Sequence, residues 1–426
     1  MSGADIRLKI EAVWKAEAAR VIAGLMCMVR NFDLAEDLAQ EALVAALEKW
    51  PTSGIPPNPG AWLMATAKRR AIDHFRFAER SERKHQELGR ERTELERTTP
   101  DLVTVVDDPI GDDVLRLIFV ACHPILPAEA RAALTLRVVG GLTTDEIARA
   151  FLVAEPTIAQ RIVRAKKTLT QKSIPFVIPR GLDVAARLSS VLEVIYLIFN
   201  EGYAATSGEE WMRASLCDEA LRLGRILAEL DSQEAEVHGL VALVEIQASR
   251  LKARVSATGE PILLLEQDRS LWDQGQVNRG MGALERAASL TRIRGPYVLQ
   301  AEIAACHARA KSASETDWNR IVALYSELAE VTPSPVIELN RAVAVGMAFG
   351  PEQALGLLEP LRSEPVLKNY HLLPSVRGDF LARLSRHVEA AAEFERAAAL
   401  TRNEREKAFL MERARGSAEA AVPKDL

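Results

Sequence analysis

The stretch LTTDEIARAFLVAEPTIAQRIVRAKKTL, residues 142–169, predicts two helices joined by a short turn. Thr143 followed three residues later by Glu146 forms a capping box, so the first helix is expected to begin there. Pro156 suits the first turn of a second helix, because its missing N–H would have no intrahelical partner there. Apolar residues then recur at intervals of three and four, which predicts a buried stripe formed by Ile158, Ile162, Ala165 and Leu169.

The opposite face of the second predicted helix is polar and basic. The segment from Pro156 to Lys172, both included, has five basic residues and no acidic residue. A helix of this kind fits the major groove of DNA, where Arg or Lys contacts guanine or phosphate. The alternative is a solvated amphipathic helix in an ordinary bundle. The candidate DNA-binding residues are Thr157, Gln160, Arg161, Arg164, Lys166 and Lys167.

The predicted turn departs from the usual helix-turn-helix pattern at two positions. Leu152 stands where glycine is common. Ala154 stands where a Ser cap is common, which leaves Glu155 as a poorer cap. We therefore expect a turn that is strained or differs slightly from the usual one.

Composition predicts an all-α protein of two or three domains. The chain has 426 residues, is rich in Ala, Leu, Arg and Glu, and is only 5% aromatic. Its net charge of −5 means that DNA contacts must come from local basic patches. No secretion signal and no apolar stretch of about 20 residues is found, so we expect a cytoplasmic, reduced protein with no membrane contact.

Neither a metal site nor a catalytic site is expected. The cysteines form no CxxC, and the histidines lack metal-ligand spacing. Cys122, beside His123, is interpreted as a buried core thiol. No phosphate-binding glycine loop, HExxH or G-x-S-x-G motif is present. The chain is therefore predicted not to be an enzyme and to need no cofactor.

Two further helices are predicted upstream. Asp33, with Glu36 three residues on, predicts the start of LAEDLAQEALVAALEKW, whose inner face would be Leu34, Leu38, Ala42, Ala45 and Trp50. Prolines 51, 56, 57 and 59 predict a loop of about nine residues. The next helix is AWLMATAKRRAIDHFRFAER, residues 61–80. It is expected to bury Trp62, Leu63, Ala67, Ala71 and Phe75 and to expose Lys68, Arg69, Arg70 and Arg76.

Three blocks in this order resemble bacterial extracytoplasmic-function-type sigma factors of the sigma-70 family. The blocks are NFDLAEDLAQEALVAALEKW, WLMATAKRRAIDHFR and LPAEARAALTLRVVGGLTTDEIARAFLVAEPTIAQRIVRAKKTL. The resemblance implies that the first block binds core RNA polymerase through Asp37, Gln40 and Glu41. It implies that the third block reads the −35 promoter element. The second block would melt and read the −10 element through Trp62, Lys68, Arg69, Arg70, Asp73 and Arg76.

Two alternatives remain open within this resemblance. The acidic face around Asp37 could be simply solvated, and Trp62 could belong to the core. Arg69 replaces an asparagine that is frequent in the family, which leaves the base preference open. The predicted domains are 1–78 (region 2), 79–110 (a flexible linker), 111–173 (region 4 with the helix-turn-helix) and 181–426 (a helical extension).

The C-terminal half also resembles known sequences. Residues 316–361 and 376–410 resemble tetratricopeptide (TPR) helix pairs, with small residues at the packing positions Ala342, Ala354, Ala391 and Ala397. Plain helical hairpins are the alternative. The phrases YLIFNEGYAATSGEE, LLLEQDRSLWDQ and SPVIELNRAVAV resemble the large extension of one subgroup of these sigma factors.

The polar phrases of this half allow two interpretations. Asp268, Arg269 and Asp273 near Trp272 are expected to form buried Arg–Asp pairs that hold helices together. A small-molecule site there, or one flanked by Glu201, Glu209 and Glu210, is the alternative.

Taken together, the resemblances lead us to expect a sigma factor with core RNA polymerase and promoter DNA (−10 and −35 elements) as partners. Its C-terminal domain would regulate it in cis, together with an unidentified protein or small-molecule regulator. The alternatives are a stand-alone helix-turn-helix regulator with a repeat sensor domain and a C-terminal enzyme.

Overall fold

The computed structural model describes residues 3–88, 113–150, 153–177, 182–205, 211–230, 233–256 and 259–421. Regular structure in these ranges is helical, apart from one isolated bridge between Val255 and Pro261. This confirms the all-α prediction. None of the described helices is long and apolar enough to cross a membrane. The chain divides into an N-terminal unit, Met1–Val194, and a C-terminal unit, Ile195–Leu426.

The N-terminal unit begins with three helices that pack on one another: α1 (Gly3–Val29), α2 (Phe32–Ser53) and α3 (Pro59–Leu88). Alanines at helical spacing on α2 are fully buried and allow a close approach of its neighbours. Trp50, at the end of this face, packs edge-on against Trp62 of α3, with 5.2 Å between ring centroids. Trp62 itself, which was predicted to be buried, is only partly buried.

Several predicted details of these helices are wrong. Asn31, not Asp33, caps α2, because its side chain accepts a hydrogen bond from the Leu34 N–H. Pro51 lies inside the last turn of α2, and the loop is limited to residues 54–58. Phe75, predicted to be buried, is 37% exposed. Helix α3 continues to Leu88, so residues 79–88 of the predicted linker are helical, whereas residues 89–110 lie outside the described ranges.

Four shorter helices follow in the same unit: α4 (Asp113–Ala121), α5 (Ala128–Val138), α6 (Thr144–Ala150) and α7 (Glu155–Gln171). The capping box forms as predicted. The Glu146 N–H donates to Thr143 Oγ1 at 3.2 Å, and the Thr143 N–H donates to Glu146 Oε2 at 2.7 Å. All four residues of the predicted stripe on α7 are buried: Ile158, Ile162, Ala165 and Leu169.

The turn between α6 and α7 is only partly described. Leu152 lies outside the described residues. Ala154, rather than Glu155, is the N-cap of α7; it has extended backbone geometry and makes no side-chain cap. Pro156 occupies the first turn, as predicted. The helix therefore begins without the hydrogen bond that a Ser cap would supply.

The C-terminal unit contains eleven α-helices in the described ranges, including α8, in which the division of the chain falls. Consecutive helices pack side by side and share successive apolar clusters along the chain. Helix α12, for example, contributes Val298 to one cluster and Leu299 to the next. Such nearest-neighbour packing is typical of repeat proteins. The helices are α8 (Leu182–Tyr203), α9 (Ala214–Leu230), α10 (Ala235–Ala248), α11 (Gln274–Leu290), α12 (Pro296–Arg309), α13 (Trp318–Val331), α14 (Pro335–Phe349), α15 (Pro351–Leu361), α16 (Leu372–Arg383), α17 (His387–Leu400) and α18 (Glu404–Ala421).

Small residues lie where these helices approach closely. Ala342, Ala354 and Ala397 are fully buried, as expected for a helical repeat. At Gly346 a Cβ atom would lie 2.4 Å from the Phe380 ring. Asn403, just before α18, donates to the Ala205 carbonyl at 3.2 Å and so joins the two ends of this unit. Membership of the tetratricopeptide class stays a prediction.

Candidate DNA-binding and polymerase-binding surfaces

Helix α7 presents an exposed polar face opposite its buried stripe. Thr157 and Gln160, in its first turns, and Arg164 and Lys167, further along, are exposed. Val163 lies among them and is 65% exposed. An exposed apolar side chain on such a face suits contact with a thymine methyl group, a signal that charge counting alone misses.

Two predicted DNA-binding residues of α7 are already engaged within the protein. Arg161 pairs with Glu129 of α5 at 2.5 Å. Lys166 is only 12% exposed and pairs with Glu36 of α2, and it lies 3.3 Å from Asp33. In this arrangement Lys166 is directed towards α2 and does not belong to the exposed face of α7. DNA contact through Lys166 would require this pair to break.

Helix α3 carries a second basic face. Arg69, Asp73 and Arg76 are exposed and Lys68 is half-buried, whereas Arg70 pairs with Glu41 of α2 at 2.6 Å. Phe77 is 74% exposed directly after Arg76. Exposed aromatic rings beside basic residues suit the stacking of unpaired bases and the binding of their backbone. The alternating pattern HFRF in the sequence could have indicated this role for Phe77.

The outer face of α2 is acidic with an apolar centre. Asp37, Gln40 and Glu41 are all exposed, and Glu41 pairs with Arg70 of α3. Val44 and Leu47 continue the same face at helical spacing and are 51% and 39% exposed. Exposed apolar residues surrounded by polar ones are typical of protein–protein contacts. The sequence prediction did not include Val44 and Leu47, because it considered only the polar residues of this face.

Comparison with known proteins identifies the two parts of the N-terminal unit. Residues 14–81 match the model of sigma-70 region 2, and residues 116–169 match the model of sigma-70 region 4. The chain belongs to the sigma-70 family. Residues 187–288 match a family of unknown function, DUF6596, so this sigma-70-family protein resembles extracytoplasmic-function-type factors that carry a C-terminal extension.

One curated relative extends the similarity over almost the whole sigma-70-family chain. An uncharacterized protein of Rhizobium meliloti (strain 1021) is 43% identical over 396 residues, which is 92% of both chains. No solved structure matches. The two matched regions contain the basic faces of α3 and α7 and the acidic face of α2. They support a role in promoter recognition and transcription.

Three of the four cysteines of this sigma-70-family protein are buried thiols, and Cys27 is half-buried. Burial raises the pKa of Cys122 to about 12 and that of Cys27 to about 11, where the nearby Asp113 carboxylate adds to the effect. Both groups are therefore neutral near pH 7, whereas metal binding needs the thiolate. No group of metal-ligating side chains occurs among the residues that the structure describes.

The predicted Arg–Asp pairs of the C-terminal half do not form. Asp268 instead caps a short 3-10 turn by accepting from the Ser270 N–H, and Asp273 caps α11 by accepting from the Gln276 N–H. Arg269 donates to the carbonyls of His307 and Ala310 at the end of α12. The sequence prediction missed these main-chain caps. Glu201 pairs with Arg213 at 3.2 Å, whereas Glu209 and Glu210 lie outside the described residues.

Proposed function

We propose that this sigma-70-family protein binds core RNA polymerase and directs it to promoters for transcription initiation. Region 2 would dock on polymerase through α2 and bind the −10 element through α3. Region 4 would bind the −35 element through α7. The observation that carries the proposal is the presence of three exposed surfaces of matching chemistry within the two matched sigma regions.

Region 2 has two faces of opposite charge, and we assign each face to a different partner. The face of α2 formed by Asp37, Gln40 and Glu41 suits a basic protein surface, with Val44 and Leu47 as its apolar centre. The face of α3 with Arg69 and Arg76 suits a polyanion. Trp62 packs on Trp50 and is only partly exposed. It would therefore support the melting surface from beneath, by holding α3 in position.

In region 4 the exposed part of α7 narrows the set of DNA contacts. Thr157 and Gln160 lie nearest the start of the helix and suit contacts with base edges, whereas Arg164 and Lys167 suit guanine or phosphate. Arg161 and Lys166 would join them only after leaving their carboxylate partners.

A reconstituted transcription assay tests the proposal. The full-length protein is mixed with core polymerase and a library of promoter fragments, and bound complexes and transcripts are measured. We expect a complex with core polymerase and transcription from a subset of promoters. DNA binding without any polymerase binding would overturn the proposal and favour a stand-alone helix-turn-helix regulator.

We further propose that the C-terminal unit regulates the sigma regions in cis. This unit is as long as the part that carries both matched regions, so it supplies a second surface within the same chain. Truncation should follow Val194 and not Arg180, because Arg187 donates to the Phe119 carbonyl at 3.4 Å within the N-terminal unit. We expect the truncated protein to bind polymerase with altered promoter output. Unchanged output and promoter choice would contradict regulation in cis.

A further inference from the structure

Three arginines near the start of the C-terminal unit form a cationic cluster: Arg250, Arg254 and Arg269. Arg250 and Arg254 are each only 8% exposed and flank the short 3-10 turn Leu251–Ala253, which brings both guanidinium groups to Tyr203 at the end of α8. The Arg254 guanidinium carbon lies 3.5 Å from the centroid of the Tyr203 ring.

An aromatic wall lines the rest of this arginine cluster. The guanidinium carbons of Arg250 and Arg269 lie 5.6 and 5.2 Å from the ring centroid of Trp272, which is buried. The ring centroid of half-exposed Trp211 lies 5.9 Å from the Arg254 guanidinium carbon. Aromatic faces stabilise cations, but they carry no net negative charge.

None of the three arginines makes an ion pair with a carboxylate in the described part of the chain. Their partners are neutral: Arg250 donates to Tyr203 Oη and Gln247, Arg254 to the Tyr203 carbonyl, and Arg269 to two carbonyls and Thr316. The buried carboxylates of this unit are paired elsewhere. Glu201 pairs with Arg213, and Glu245 pairs with Arg225 and Arg279.

The charges of the cluster therefore act against one another. Burial lowers the pKa of Arg254; Tyr203 partly offsets this effect, and the charge of Arg250 adds to it. Burial and Arg250 also lower the pKa of Arg269. Burial together with Arg250 and Arg269 lowers the pKa of His307 to about 4. Glu315 attracts Arg269 but forms no ion pair with it. Buried charges without a counter-charge are costly, so this arrangement is far from its electrostatic optimum.

Main-chain carbonyls stabilise only two of the three arginines. They accept hydrogen bonds from Arg254 and Arg269 at helix ends, where the helix dipole helps to stabilise a cation. Arg250 is different, because its buried Nε donates to no protein acceptor. The Nε1 of buried Trp272 is likewise a donor without a protein acceptor. Two buried donors thus lie beside three positive charges.

We propose that the arginine cluster binds a small multivalent oxyanion, such as a phosphate monoester or a pyrophosphate group. Guanidinium groups bind phosphate oxygens through paired N–H donors, and three positive charges match an anion of more than one charge. Arg250 and Arg254 are too little exposed to contact a macromolecular surface, so the proposed ligand is a compact group. This binding is separate from polymerase and DNA binding and does not depend on the proposed function.

Anion titration of the full-length protein tests this proposal. Inorganic phosphate and pyrophosphate are added at constant ionic strength against sodium chloride, and the melting temperature and the heat of binding are measured. We expect pyrophosphate to bind more tightly than phosphate and to raise the melting temperature by about 5 °C at a hundredfold excess over its dissociation constant. No response beyond that to chloride would overturn the proposal.

Single-residue variants test whether pyrophosphate binds at the arginine cluster. Arg250→Gln should weaken pyrophosphate binding by about tenfold or more, and Arg250→Lys should restore part of it. Arg222→Gln is the control, because Arg222 lies in the same unit and pairs with Glu219 at 2.7 Å. Should Arg250→Gln fail to fold, Arg254→Lys tests the same site, since it keeps the charge and loses the paired donors. Equal binding of pyrophosphate by the folded variant and the wild type would overturn the proposal. This is the result expected if pyrophosphate bound the basic face of α7 instead.

Discussion

Lys166 of α7 forms an ion pair with Glu36 of α2, although the two residues lie 130 positions apart in the sequence. Both side chains are largely buried, at 12% and 17% exposure, and Asp33 adds a second carboxylate at 3.3 Å. The pair joins the region 4 helix proposed to bind DNA to the region 2 helix proposed to bind polymerase. It therefore opposes any separation of the two regions.

Glu36→Gln should favour separation of regions 2 and 4. Removing one charge from a largely buried pair costs about 1–2 kcal/mol, which corresponds to a five- to thirtyfold larger population of the separated form. Energy transfer between dyes on α2 and α7 measures this population. Glu48→Gln, at an exposed position of α2, is the control and should leave the population unchanged; an equally large opening in this control would exclude the pair as the cause.

The exposed face of α7 predicts which of its residues contact bases and which contact phosphates. Gln160→Ala should cost about 1–3 kcal/mol on the preferred sequence and reduce discrimination at one base position. Lys167→Ala should weaken binding equally on all sequences and reduce the salt dependence by about one charge. Binding curves at several salt concentrations measure both. Lys172→Ala, at the end of the helix, is the control; an effect as large as that of Lys167→Ala would argue against a specific contact.

Local periodicity explains why much of this site was predictable from sequence. The buried stripe of α7, with Ile158 and Leu169, follows from the helical repeat alone, and the Thr143–Glu146 capping box involves only neighbours. The partner of Lys166 could not be predicted, because pairing with Glu36 depends on how distant helices pack. Pro51 was misassigned for a different reason: in the last turn of a helix a proline removes a single intrahelical hydrogen bond, the one to the Leu47 carbonyl, so the helix can include it.

The exposed apolar centre of α2 predicts a defined polymerase-binding defect. Val44→Asp and Leu47→Asp should each weaken binding to core polymerase by about tenfold or more, since an apolar contact is replaced by a charge that must be desolvated. Stability should change by less than about 0.5 kcal/mol, because both residues are exposed. Titration against core polymerase measures the effect. Ala65→Asp, at an exposed position of α3, is the control; undiminished binding by both α2 variants would contradict a docking role for this face.

His307 predicts a pH dependence of the stability of the C-terminal unit. Its pKa is lowered from 6.5 to about 4 by burial and by Arg250 and Arg269, so the unfolded chain binds more protons between these values. The contribution of neutral His307 is thus fully present above pH 6.5 and is lost as the pH falls towards 4, by about 3 kcal/mol. Denaturant unfolding at several pH values measures this loss. His307→Gln should flatten the profile between pH 4 and 6.5, whereas His387→Gln should not; an unchanged slope in His307→Gln would assign the dependence to other groups.

Two glycines of the C-terminal unit should respond oppositely to the same substitution. In Gly346→Ala the new Cβ would lie 2.4 Å from Phe380 and 2.7 Å from the Ala354 Cβ, so α14, α15 and α16 would have to move apart. We expect a loss of about 1–3 kcal/mol in the free energy of unfolding. Gly356→Ala, on α15, meets no atom within 4 Å and should gain about 0.5–1 kcal/mol from helix propensity. Chemical denaturation of both variants measures the difference, and a stabilising Gly346→Ala would show that these helices are not packed as closely as described.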